Sequence, residues 1–152
     1  MIPSFTFNIL TINGRRDELE AFRQYACGFD PSVQADIPKF NPLCFNNFIE
    51  LTDKECSNMV SLEEARRAKW GTTSNAAGVT LKEKGHELRY SFTTASTIPR
   101  AILLFMIDKF PNLKFDLEYR NDRKGIEGSM KIFRGKAVFA QTDKFARERK
   151  HG

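Results

Sequence analysis

An α+β fold is predicted by three features of the sequence. Stretches that alternate apolar and polar residues, such as LKFDLEYR at 113–120, read as strands with one buried face. Stretches with apolar residues on one helical stripe, RRDELEAFRQYA at 15–26 and STIPRAILLFMIDKFP at 96–111, read as helices. These follow one another as β-α-β-β-α-β, and one further hairpin ends the pattern.

The first element, SFTFNILTI at 4–12, places Phe5, Phe7 and Ile9 on one face and Leu10 and Ile12 on the other. Neither face is purely polar, so an internal strand is expected. Asn13-Gly14 breaks it. The helix at 15–26 follows, with Leu19, Phe22 and Ala26 on its stripe. Asp17 and Glu18 suit the positive end of its dipole, and Gly28 suits its C-terminal end.

Residues 29–60 form an insertion with three prolines, many Asn and Asp, and no sustained period. Loops this long are uncommon inside small domains and often functional. Phe40, Phe45 and Phe48 serve there either as anchors on the core or as an interface for a second chain. Ser61, with Glu64 three residues on, predicts a capping box that opens a short helix over 61–70. A hairpin is expected over 78–95, turning near Lys84-Gly85, with Leu88, Tyr90 and Phe92 on one face. In the long helix Thr97 is expected to cap, Pro99 fits the first turn and Pro111 ends it. In the strand at 113–120, Leu113, Phe115, Leu117 and Tyr119 face the core. Asp116 and Glu118 share the outer face with Lys114 and Arg120, a pattern of cross-strand ion pairs rather than of a catalytic carboxylate pair. After a turn at 121–125, a hairpin joins 126–133 to 136–141 at Arg134-Gly135.

The order contains the ferredoxin-like split-βαβ arrangement. The fold expected is therefore α+β, a ferredoxin-like βαββαβ unit with a long insertion after the first helix and an extra C-terminal β-hairpin. The 152 residues, 41% of them hydrophobic and 14 of them Phe, suffice for a single domain over 1–142, followed by a basic tail at 143–152. The helices should cover one sheet face. The other is open unless the insertion, the hairpin or a partner covers it.

Composition excludes several function classes. Cys27, Cys44 and Cys56 are widely spaced with no CxxC pair, so reduced thiols in a cytoplasmic protein are expected. His86 and His151 give no metal-ligand spacing, so no metal and no cofactor are expected. The longest apolar run, AILLFMI at 101–107, is too short to span a bilayer, and the N-terminus does not read as a signal peptide. No GxSxG, P-loop or GxGxxG motif is present, so an enzyme is the least favoured class.

Several motifs taken together resemble a known family. FNILTINGRRDELEAF, FNPLCF, KWGTTSNA, FTTASTIPRAIL and KFPNLKFDLEY followed by GIEGSMKIF are similar, in this order and across most of 5–135, to the YubB-like ferredoxin-like domain of plasmids, phages and bacterial genomes. The resemblance implies a ferredoxin-like fold and a cytoplasmic protein of a mobile genetic element, and it implies no activity. Trp70, Gly71, Thr72, Asn75 and Ala76 match the family pattern, whereas Ser74 and Ser96 stand where it has tryptophans.

Three sets of site residues follow. Trp70, Thr72, Asn75, Thr94 and Ser96 either line a groove beside the start of the long helix or, for Trp70, plug the core. Phe40, Phe45 and Phe48 are the interface candidates. Arg123, Lys124, Lys144, Arg147, Arg149 and Lys150 are candidates for phosphate contacts, consistent with a net charge of +5. The expected function is a non-enzymatic binding module for a protein partner or a second copy. The alternatives are a nucleic-acid-binding module and an unrecognised enzyme.

Overall fold

A computed structural model describes residues 4–29, 40–95, 97–134 and 136–143. One six-stranded antiparallel sheet carries three helices on one face. The elements are β1 (Phe5–Asn13), α1 (Arg16–Ala26), β2 (Gly28–Phe29), β3 (Phe40–Asn41), α2 (Met59–Trp70), β4 (Ala77–Lys84), β5 (Glu87–Ala95), α3 (Arg100–Lys109), β6 (Lys114–Asn121), β7 (Ile126–Phe133) and β8 (Lys136–Asp143). The strand order is β4-β5-β1-β6-β7-β8, and β2 pairs only with β3. β1 is internal, as its two apolar faces required.

The register explains the core. Leu10 lies between Tyr90 and Leu117, and Ile12 between Leu88 and Phe115. All six are buried on the helix face. Phe22 of α1 packs edge-on against Tyr90 and Phe115, with ring centroids 6.0 and 5.8 Å away. From α3, Ile102, Leu103 and Met106 complete the layer. The final hairpin continues the sheet beyond β6, and among the described residues no helix covers the opposite face.

Helix ends depart from the expected signals. α2 starts at Met59, and Asn58 caps it by accepting a hydrogen bond from the Ser61 N–H at 2.9 Å. Ser61 therefore sits inside the first turn, where its hydroxyl donates to the Glu55 and Asn58 carbonyls. The reciprocal arrangement expected of Ser61 and Glu64 forms instead at Thr52 and Glu55. There the Thr52 N–H donates to the Glu55 carboxylate and the Glu55 N–H to the Thr52 hydroxyl. α3 is shorter than expected and has no side-chain cap. Thr97 instead donates to the Gly71 carbonyl at 2.6 Å. The α1 terminus is closed by the Asn47 amide, which donates to the Tyr25 and Cys27 carbonyls. Gly28 permits that approach, because a β-carbon there would lie 2.7 Å from the amide nitrogen.

Candidate functional site

Trp70, Thr72, Asn75 and Thr94, weighed as lining a groove or, for Trp70, as plugging the core, all bond within the fold. Trp70 ends α2 fully buried; its indole N–H donates to the Ile49 carbonyl at 2.8 Å, and its ring meets Phe45 edge-on at 5.7 Å. Gly71 follows in the left-handed region at φ 85°, turning the chain close beneath the start of α3. Thr72 donates to the Ala95 carbonyl and Thr94 to the Thr97 carbonyl, each at 2.7 Å. Asn75 accepts from the Phe45 and Ala76 amides. These side chains satisfy the backbone of three loops that a helix layer leaves without ladder partners. Ser96 lies outside the described residues. Trp70, Thr72 and Thr94 are buried and Asn75 is half-buried, with their polar atoms bonded to the chain itself.

The interface candidates divide. Phe45 and Phe48 are buried, Phe48 against Phe22 and Tyr25, so neither reaches a second chain in this conformation. Phe40 is 59% exposed and its ring meets that of Phe29 across the short β2–β3 ladder. The insertion is anchored at Phe45 and Phe48 because a loop rich in polar backbone needs buried apolar area to offset its ordering entropy. Arg123 and Lys124 are exposed in the β6–β7 turn. Lys144, Arg147, Arg149 and Lys150 lie outside the described residues.

The strongest candidate site is the sheet face away from the helices. It is concave, with a cavity of about 800 Å³ reaching from Gly78 on β4 across to Ala140 and Thr142 on β8. Its floor is apolar. Phe7 and Ile9 project into it from β1 and remain 49% and 39% exposed, and Phe5, 51% exposed, continues the same face beyond the cavity. Small residues flank them, with Thr93 beside Phe7 and Ser91 beside Ile9. On the other side stand Arg120 and Glu118. The Arg120 guanidinium lies 5.5 Å from the Phe7 ring centroid and also pairs with Asp122 at 3.0 Å. Glu127 adds a second carboxylate to the lining. Asp116, on the same face, reaches Lys131 across the strands at 3.9 Å, the ion pairing its alternation implied.

The arrangement is suited to holding an apolar surface with mixed charge at its edge. Aromatic rings on a central strand offer flat apolar area, and small neighbours let a partner approach the backbone. Phe5, Phe7 and Ile9 escaped notice as site residues because β1 reads as internal either way. The available signal was the shortage of amphipathic elements: among the described residues three helices cover one face of the sheet, and none lies on the other. Among the described residues, no group of three His, Cys, Asp or Glu is placed to hold a metal ion, and no helix is long and apolar enough to cross a membrane.

No family model and no curated protein matches the chain. Among solved structures it is similar to the crystal structure of protein api92 from Yersinia pseudotuberculosis, described under the family model DUF1281. The TM-score is 0.62 at 9% sequence identity, over 93% of this chain and 98% of that one. At that identity the likeness is one of fold.

Proposed function

We propose that this protein is a non-enzymatic binding module that takes a protein partner on its concave sheet face. The observation that carries the reading is the exposure of Phe5, Phe7 and Ile9 side by side on a central strand of the sheet. Scattered apolar residues are normal on a surface, whereas a contiguous apolar floor in a concavity marks an interaction site. The module is read as ferredoxin-like. The spatial order β4-β5-β1-β6 supports a split-βαβ unit, and β7 and β8 extend it. The YubB-like resemblance supports reading it as an accessory protein of a mobile element acting in the cytoplasm.

Nucleic acid is the second reading, favoured by the Arg120–Phe7 stack and the net charge of +5. Against it, Glu118 and Glu127 line the same concavity and would repel phosphates. Photo-crosslinking from benzoylphenylalanine at position 7, with the same probe at Glu64 on α2 as control, separates the two. The protein reading expects crosslinks to protein from position 7 only, unchanged by nuclease. Nuclease-sensitive crosslinks would establish the nucleic-acid reading instead, and equal labelling from both positions would leave the face without a partner.

A further inference from the structure

The open face of the sheet changes character along its strands. Register sets its side chains in rows that cross the strands, about 7 Å apart. The rows of Phe7 and Ile9 hold the apolar floor of the cavity and the carboxylate of Glu118. The next two rows, through Thr11 and Asn13, lie beyond the cavity on the same face. The Thr11 row carries Lys82, Arg89 and Lys131, and the Asn13 row carries Lys84, Lys114 and Lys136. All of these cations are exposed. The carboxylates among them are Asp116, 3.9 Å from Lys131, and Glu87, 3.7 Å from Arg89. Lys82, Lys84, Lys114 and Lys136 have no carboxylate partner among the described residues. Like charges crowded across neighbouring strands repel, so the fold gains nothing from this cluster. An anionic occupant would relieve the repulsion.

We propose that the occupant of this face is an acidic, amphipathic segment of a partner protein, laid along β1 with apolar side chains on Phe7 and Ile9 and carboxylates over Thr11 and Asn13. The inference rests on the protein reading above and names the chemistry of that partner. Charge complementarity selects it. Lys82, Lys84 and Arg89 stand on one side of Thr11 and Asn13, and Lys114, Lys131 and Lys136 on the other, so a segment lying on β1 has cations along both flanks. From Phe7 to Thr11 is about 14 Å along the strand, a span that a short segment covers. A polynucleotide fits this pattern less well. It carries a phosphate at every residue and would set phosphates over Glu118 as well as over the lysines. A peptide can separate its apolar and acidic residues along its length, as the face separates their counterparts.

Affinity selection from a random peptide library displayed on phage, with the full chain as bait, tests it. Peptides that join an apolar cluster to a separate acidic one are expected. Lys82→Glu with Lys114→Glu should weaken the selected peptides by at least ~tenfold, because the reversed charges meet the peptide carboxylates. Both lysines are exposed and outside the ion pairs, so the fold should be unaffected. Phe7→Ser should abolish the enrichment. Apolar peptides without acidic residues, bound equally by the native chain and the double variant, would overturn the inference and leave the docking face standing. No enrichment on the native chain, or enrichment indifferent to Phe7→Ser, would overturn both. A single-stranded oligothymidylate bound more tightly than any selected peptide, and lost in the double variant, would overturn the inference in favour of nucleic acid.

Discussion

The two faces of β1 carry similar residues to different ends. Leu10 and Ile12 are fully buried beneath the helices, while Phe5, Phe7 and Ile9, one position out of phase, are open. Hydrophobicity along the strand does not distinguish them; the partner layer does. Buried apolar area contributes about 25 cal/mol per Å², so the helix face supplies folding free energy. The same area on the open face is unspent within the chain. On the binding role proposed above, that area is what a partner would bury.

Trp70→Ala sharpens the contrast on the helix side and is expected to have the largest effect. The variant removes a fully buried ring and the hydrogen bond to Ile49, and should lower stability by about 3–5 kcal/mol in urea unfolding. Native fluorescence should be blue-shifted and resist iodide quenching. A freely quenched indole would return Trp70 to the list of ligand-facing residues.

The smaller effect lies in the insertion. Glu55 is held well below its ordinary carboxylate value of 4.5, at about 2, first by the hydrogen bond from Lys69 and then by the Thr52 amide. A carboxyl depressed in the folded state adds stability above its unfolded pKa, and that stability fades as pH falls through the folded value. Glu55→Gln should therefore be slightly less stable than the native chain at neutral pH. The gap should close as pH falls from about 4.5 toward 2. A pH-independent gap would mean that the charge on Glu55 does not matter.

Much of the fold was legible because period and burial agree. Leu19, Phe22 and Ala26, and Leu88, Tyr90 and Phe92, were readable as buried faces from spacing alone. Helix starts were less legible, because several local caps compete. Thr52–Glu55 and Ser61–Glu64 share one pattern, and Asn58, a strong cap, claimed the start of α2. The insertion has no period, so nothing in the sequence separates buried Phe45 and Phe48 from exposed Phe40. The candidate site was hidden for a related reason: an internal strand with two apolar faces does not say which face its own chain will cover.

Ile9→Ala and Leu10→Ala, adjacent substitutions on opposite faces, test the central claim most directly when unfolded in urea side by side. Leu10→Ala should cost about 2–5 kcal/mol, as deletions in a packed core do. Ile9→Ala should cost less than about 1 kcal/mol, since Ile9 faces solvent and is flanked by Ser91 and Glu118 rather than by packed apolar side chains. Equal losses would contradict the account, because the open face would then belong to the fold and hold nothing in reserve for a partner.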